Sequence, residues 1–309
     1  MKRLLLFFFL LLSIPIFITN NYFNTKKIIS GFSSNKKNNN NINIRILKKD
    51  NSIIELDLEE YLVGVVSSEM PVSFEKEALK AQAVASRTYA LKQMENNKEK
   101  SYDVTDDIMS QVYSTNDELK EKWGNNYNDN YNKIKKIVEE TKGEYISYDN
   151  DYIYAFFFST SNGKTEDNKN VFGQDLPYLK SVDSSFDEEE SPSFFYDYVF
   201  SKDDFYNRLG LEYSDQLSID NIIKTESGRI YNLDINNNSF KGRDFQKKLS
   251  LRSNDFTINE DNNNIYIKTK GFGHGVGLSQ YGANSLAKRD KSYIDILKYY
   301  YINTEIKKI

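Results

Sequence analysis

The chain has no cysteine, one histidine, one tryptophan and four prolines in 309 residues. Missing thiols exclude disulfides and thiolate metal sites, and a single imidazole excludes a multi-histidine site. An all-oxygen cation site finds no supporting loop pattern, so no metal and no cofactor is expected. An excess of charge of one sign is also lacking. The net charge of −4 argues against a general nucleic-acid binder. No Gly-x-Ser-x-Gly elbow occurs, and His274 alone would have to serve any triad, so a serine nucleophile fits poorly. No internal repeat recurs at a fixed period.

What is present begins at the amino terminus. Lys2-Arg3 precede Leu4 to Ile18, an apolar run interrupted only by Ser13 and Pro15. That is the pattern of a secretion signal or an uncleaved anchor. No small-x-small cleavage site follows, and Tyr22 and Phe23 extend the segment toward the interface. Residues 1–23 are therefore expected to form a membrane anchor of marginal length, with the basic end in the cytoplasm and the rest exported. Residues 24–41 are polar and repetitive, the composition of a flexible tether. Aromatic residues make up 14% of the chain, with 23 Tyr and 20 Phe, so residues 42–305 can bury a large core.

Periodicity predicts the elements of that domain. Ile42, Ile44 and Ile46 alternate, as do Ile54, Leu56 and Leu58, so a hairpin-like pair of strands is expected. Residues 58 to 70 lead into the longest helix, Phe74 to about Asn97, with Ser73 as its N-cap. Its alanines and leucines surround most of the circumference, which predicts burial on most sides. One narrow basic stripe, Lys76, Lys80 and Arg87, must face solvent or an anionic group. Residues 101 to 128 read as loop with short helical turns, and Asn130 to Thr141 as a helix ended by Gly143. Strands are expected at Glu144–Tyr148 and Tyr152–Phe158, an acidic surface loop at 185–198, and several strands between 219 and 269. A helix is expected from Asn284 to Tyr301. With no βαβ regularity, the fold class is α+β: mixed, mostly antiparallel sheets with one long buried helix, after the N-terminal anchor.

Three segments stand out chemically. Gly271-Phe272-Gly273-His274-Gly275-Val276-Gly277-Leu278-Ser279-Gln280-Tyr281-Gly282-Ala283 holds the only histidine and 5 of the 14 glycines. It reads as a tightly held loop of bare backbone around one imidazole, or as a structural bend. Ser67-Ser68-Glu69-Met70-Pro71 sets a carboxylate beside an apolar run. Pro71 forces Met70 to be extended. Desolvation would raise the pKa of Glu69 into the range of a general acid; the bland alternative is a surface glutamate. Ser159-Thr160-Ser161-Asn162-Gly163-Lys164-Thr165 offers hydroxyls, an amide and an ammonium that suit a polyhydroxylated ligand, or an ordinary capped loop. A single acid/base carboxylate is the chemistry best supported.

With these residues in view, residues 42 to 305 resemble the stage II sporulation protein D family of cell-wall enzymes. The likeness rests on Tyr61-Leu62-Val63-Gly64-Val65-Val66 with Ser68-Glu69-Met70-Pro71, on Ala78-Leu79-Lys80-Ala81-Gln82-Ala83-Val84-Ala85-Ser86-Arg87-Thr88-Tyr89-Ala90, and on the glycine run. The resemblance implies a lytic transglycosylase that cleaves peptide-stripped peptidoglycan strands during forespore engulfment. It would work beside the stage II sporulation protein P amidase and stage II sporulation protein M, outside the cytoplasmic membrane. It implies Glu69 as catalytic acid/base. Lys80, Arg87, Tyr178, Lys180, His274 and Gln280 are the implied substrate contacts. The chain departs from the family at Phe158, where relatives often have a histidine and some bind zinc, and at Asn162, where glycine is usual. Two other readings stay open: a non-catalytic glycan-binding activator of an amidase, and a glycosidase with Asp106 or Asp107 as second carboxylate.

Overall fold

The computed structural model describes residues 42–106 and 110–309. The expected anchor and tether lie outside them. Among the described residues, no helix is long and apolar enough to cross a membrane. The fold is α+β with mainly antiparallel sheets.

The alternating isoleucines form the expected hairpin. Asn43–Leu47 pairs antiparallel with Ile53–Asp57, Ile44 facing Leu56 and Ile46 facing Ile54. Ile44 and Ile46 are fully buried, as the two-residue period requires. Val104–Thr105 adds a parallel third strand.

The segment expected only to lead into the long helix is itself a helix, Leu58–Glu69. Asp57 caps it by accepting from the backbone N–H groups of Glu59 and Glu60. Its run Leu62, Val63, Val65, Val66 has no clean period, because the helix is buried on more than one side and periodicity then loses its discrimination. The helix ends where Pro71 requires it: Met70 is extended, with φ −120° and ψ 145°.

The long helix spans Lys76–Asn96, so it starts two residues later than expected. Ser73 is not its cap. The exposed donor at Glu75 N–H is satisfied by Asn284 Oδ1 at 2.8 Å, from near the other end of the chain. Ala78, Ala81, Ala83, Ala85 and Ala90 are all fully buried, which lets neighbouring helices and the Glu144–Tyr148 strand approach closely. Asn116–Trp123, within the stretch expected as loop with short helical turns, is a helix with a Thr115–Glu118 capping box. Tyr127–Glu140 follows. Asp149 and Asn150 both have positive φ, 50° and 67°, and join Glu144–Tyr148 to Asp151–Tyr152 in a tight hairpin. Only Phe157–Phe158 of the rest of that expected strand is paired, parallel to Leu278–Ser279.

Residues 195 to 270 make a lobe with a second core, built on Phe205, Leu233, Ile235, Phe245 and Ile265. Its strands Phe195–Ser201, Asn264–Lys270 and Phe256–Glu260 form one antiparallel sheet; Ile219–Lys224, Ile230–Ile235 and Asn238–Lys241 form another. The expected acidic surface loop is corrected here. Phe195 already begins a strand, and Asp187 is fully buried. Likewise the expected terminal helix is two, Gln280–Lys288 and Tyr293–Tyr300, broken where Asp290 turns to φ 60° and Ser292 starts a new capping box.

The glycine run has the backbone its composition predicts: Gly271, Gly273, Gly275 and Gly277 lie at φ 82°, 112°, 86° and 78°. At Gly277 the need is double, because a Cβ there would stand 2.1 Å from the Phe156 carbonyl oxygen. Gly277→Ala is therefore expected to cost at least about 3 kcal/mol, from left-handed backbone strain plus overpacking. Gly173→Ala, left-handed at φ 84° and ψ −13° with no atom within 4 Å of the new methyl, should cost only about 1 kcal/mol. Urea unfolding of the two variants checks the contrast; equal losses would show that close approach does not hold this loop.

Candidate active site

Glu69 is the last residue of its helix and lies half-buried on a cleft of about 490 Å³. The walls come from Met70, Pro71 and Phe74 after that helix, from Lys122 and Trp123, from Ser159 and Ser193, and from Phe272, Gln280 and Tyr281. Among the described residues Glu69 is the only carboxylate lining the cleft. Its Oε1 accepts the Val112 backbone N–H at 2.8 Å. Its Oε2 has one long contact, 3.5 Å to Gln280 Nε2. Burial pushes the Glu69 carboxyl above its usual range, and the bonds from Val112 and Gln280 oppose that rise. The negative end of the helix dipole adds to the rise, since no basic side chain occupies the last turn.

The glycine run delivers Gln280 and Tyr281. Tyr281 N–H donates to the Ser159 carbonyl at 3.1 Å. Ser279, the cap of the Gln280–Lys288 helix, donates to the buried Asp187 carboxylate. Asp187 also accepts from Ser161 N–H at 2.7 Å and Ser184 Oγ at 2.8 Å. Its carboxyl is nonetheless raised by burial, against those bonds. Gln280 Nε2 is also 3.4 Å from Gln82 Oε1 on the long helix. Of the Ser159–Thr165 segment only Ser159 reaches the cleft. Thr160 and Ser161 are buried in hydrogen bonds to Ser191 and Asp187, and Asn162 donates to Ser227 and Asp255, so most of this loop is internal structure.

Of the residues expected to meet substrate, only Glu69 and Gln280 come together at the cleft. Arg87 is fully buried, and its guanidinium forks onto the Glu59 carboxylate while also donating to the Glu144 carbonyl. Lys80 pairs with Glu140 at 3.0 Å and Glu77 at 3.2 Å, so the anionic groups that the basic stripe faces belong to the protein. Tyr178 is buried, accepting the Tyr154 N–H and packed on Tyr148. Lys180 pairs with Asp175. His274 packs among Phe172, Phe158 and Phe156, its ring 5.4 to 6.2 Å from theirs, and its Nδ1 accepts the Val276 N–H at 3.0 Å. Burial, with the nearby Arg243 and Arg229 charges, pulls its pKa down to about 3, so it is neutral at ordinary pH. Phe158 is part of this aromatic cluster. Asp106 is not in the cleft either; it pairs with Lys48 at 2.6 Å. Asp107 lies outside the described residues.

Two cleft residues escaped sequence reading. Lys122 donates to the Ser67 carbonyl at 2.9 Å, and burial lowers its pKa. Trp123 is the only tryptophan and stands beside it. Both close the Asn116–Trp123 helix, whose Thr115-x-x-Glu118 signature was the available signal.

A family model described as "Stage II sporulation protein" matches residues 48–148. The chain is 42% identical over 271 residues to the stage II sporulation protein D of Bacillus amyloliquefaciens, covering 86% of this chain and 78% of that one. The stage II sporulation protein D of Bacillus subtilis is 41% identical over 271 residues, covering 86% and 79%. The amidase enhancer of Bacillus subtilis is 29% identical over 300 residues, covering 79% of this chain and 40% of that one.

Two stability outcomes follow from the geometry. Because burial raises the Glu69 pKa in the folded state, the charged form is disfavoured there, and Glu69 costs stability at neutral pH. That cost is absent below the unfolded-state value of about 4.3 and complete above the folded-state value. Glu69→Gln should raise the melting temperature at pH 7 by about 2–4 °C per kcal/mol relieved, and the gain should fade as the pH drops to about 4. A gain that grew in acid would contradict the desolvation. Arg87→Met leaves Glu59 without its cation and should cost about 3–5 kcal/mol in urea unfolding, which a mere surface stripe would not.

Proposed function

The chain belongs to the stage II sporulation protein D family, and on that premise we propose that it is a peptidoglycan lytic transglycosylase. Its substrate in this reading is a glycan strand stripped of stem peptides. It cuts between N-acetylmuramic acid and N-acetylglucosamine and leaves 1,6-anhydro ends. The observation that carries the reading is the solitary carboxylate: Glu69 lines an open cleft with no second acid among the described residues. A hydrolase needs a second carboxylate to activate water or to form a covalent intermediate.

One carboxyl group suffices if the substrate supplies the nucleophile. Protonated Glu69 donates to the glycosidic oxygen as the C1–O bond breaks and positive charge develops on the muramic ring. The resulting carboxylate then takes the proton from the C6 hydroxyl of the same sugar as that oxygen bonds to C1. Atoms balance without water, and the internal attack gains from proximity. The local bonding suits a group that gives and then takes a proton. Oε1 is committed to Val112, while Oε2, with only the long Gln280 contact, is free to carry the proton. Desolvation favours the neutral form, and the two hydrogen bonds support the ionised one. Trp123, Phe272 and Tyr281 offer apolar faces for sugar rings.

We place this activity in forespore engulfment, outside the cytoplasmic membrane, with the chain held by residues 1–23 and acting after the stage II sporulation protein P amidase, beside stage II sporulation protein M. The basic start followed by Leu4–Ile18 supports the anchoring. A second reading, a glycan-binding activator of an amidase, is supported by the likeness to the amidase enhancer.

Digestion of stripped glycan decides between them. The wild type should release fragments lighter by one water than hydrolytic products, and Glu69→Gln should slow their release by about 10²–10⁴-fold. Turnover should fall as the pH rises past the raised Glu69 pKa, because the acid form starts the reaction. No product from either protein supports the activator; products with reducing ends support a hydrolase.

A further inference from the structure

Two cations lack an acid of their own, one lining the cleft and one beside Phe272 of its wall. Lys122 lines it, and its ammonium holds one protein acceptor, the Ser67 carbonyl, two residues before Glu69. Of the lysines nearby, Lys120 pairs with Asp117 and Lys80 with Glu140 and Glu77, while Lys133, which does not line the cleft, donates to the Val72 and Phe74 carbonyls. Burial lowers the Lys122 pKa, and no carboxylate offsets it. An ammonium held partly out of water beside a substrate cleft gains most from an incoming anion.

Arg252 is the second. Its guanidinium carbon lies 3.8 Å from the Tyr196 ring centroid and 5.1 Å from that of Phe272, and Phe272 lines the cleft. Both rings are partly open to solvent, 41% and 39% exposed. The backbone is pinned on both sides: Arg252 N–H donates to Tyr198 Oη at 2.8 Å, and its carbonyl accepts the Gly273 N–H at 2.9 Å. Among the described residues the guanidinium itself makes no hydrogen bond and no ion pair. Its fork of donors is thus laid flat against a ring and left unspent, the arrangement that suits bidentate carboxylate recognition.

We propose that Lys122 and Arg252 read carboxylates along the bound polymer, so that the cleft selects anionic strands over the same strands in neutral form. Resting on the function proposed above, those carboxylates are the lactyl groups of muramic acid. Each is an amide while a stem peptide is attached and becomes an anion when that amide is hydrolysed. The cleft therefore recognises, by charge, the product of a preceding amide hydrolysis. Lys122 and Arg252 take the substrate-contact part that the family resemblance implied for Lys80 and Arg87.

The test uses the full-length chain carrying Glu69→Gln, so that binding is measured without turnover. Its ligands are peptide-free glycan strands and the same strands with lactyl carboxyls reduced to alcohols. Native strands should bind about 100-fold more tightly than reduced ones, one charge-assisted contact being worth about tenfold. Lys122→Met and Arg252→Met should each remove about tenfold of that ratio, and the ratio should shrink in high salt. Because both ligands are compared on one preparation, a partly unfolded variant leaves the ratio unaffected. Equal affinity for native and reduced strands overturns the proposal, as does a ratio that survives both substitutions; dependence on only one cation overturns the paired arrangement. Anhydro products from the chain with Glu69 intact report separately on the chemistry. Their absence would sink the transglycosylase reading and leave the charge reading to stand or fall on the binding ratio.

Discussion

The buried ion pair between Arg87 and Glu59 fixes the frame on which the site is built. Arg87 sits in the middle of the long helix and Glu59 in the first turn of the helix that ends at Glu69. The same guanidinium donates to the Glu144 carbonyl, and the same carboxylate accepts the Gly143 N–H. Two helices and the start of a strand are thereby locked at one point. Glu69 lies ten residues further along, about 15 Å, at the opposite end of a rigid rod. A carboxylate is held part-way out of water only if its support does not swing, and this pair removes that freedom. Only a planar, bidentate cation matches the geometry, so lysine is no substitute. A residue can thus be indispensable to a site that it never touches.

The rest of the cleft is held by buried polar chemistry as well as by apolar packing. Asp187 gathers Ser161, Ser184 and Ser279 around one carboxylate, and this fastens the cap of the helix that begins with Gln280. The glycine run can lie close because Gly275 presents no side chain toward Arg229 and Gly277 none toward the Phe156 carbonyl. Phe272 and Gln280 sit at the two ends of this run, so a shift of the loop would move both walls together. The site combines a destabilised acid with a stiffly held surround, as expected where desolvation is used to set a proton affinity.

The sequence was legible where the cause of a feature is local. Left-handed backbone at Gly271, Gly273, Gly275 and Gly277, the extended Met70 before Pro71 and the alternating isoleucines all follow from a few neighbouring residues. Glu69 could be picked out because the apolar run and the proline lie beside it. It was illegible where the cause is distant. The basic stripe was read as facing solvent or an anion; it faces anions of the protein, Glu59 and Glu140, 28 and 60 residues from their partners Arg87 and Lys80. The helix start moved because Asn284, 209 residues away, satisfies Glu75. Lys122 and Trp123 were missed although Thr115 and Glu118 announce their helix, because a polar, charged stretch carries no apolar period to mark it.

His274 is taken up in the packing of its own loop. A lone imidazole amid glycines invites a role in proton transfer or substrate binding. Enclosed by Phe156, Phe158 and Phe172 and facing Arg229 and Arg243, it stays neutral, and its Nδ1 is occupied by Val276 N–H. A neutral ring so placed holds no charge for a substrate. What it does is close the turn between Gly273 and Gly277 and seat that turn against the aromatic cluster. Phe158 completes this seat: its Cβ lies 2.8 Å from where a side chain at Gly273 would begin. Phe158 and the bare backbone of Gly273 belong to one packing solution, which steadies the loop that carries Phe272 and Gln280 to the cleft.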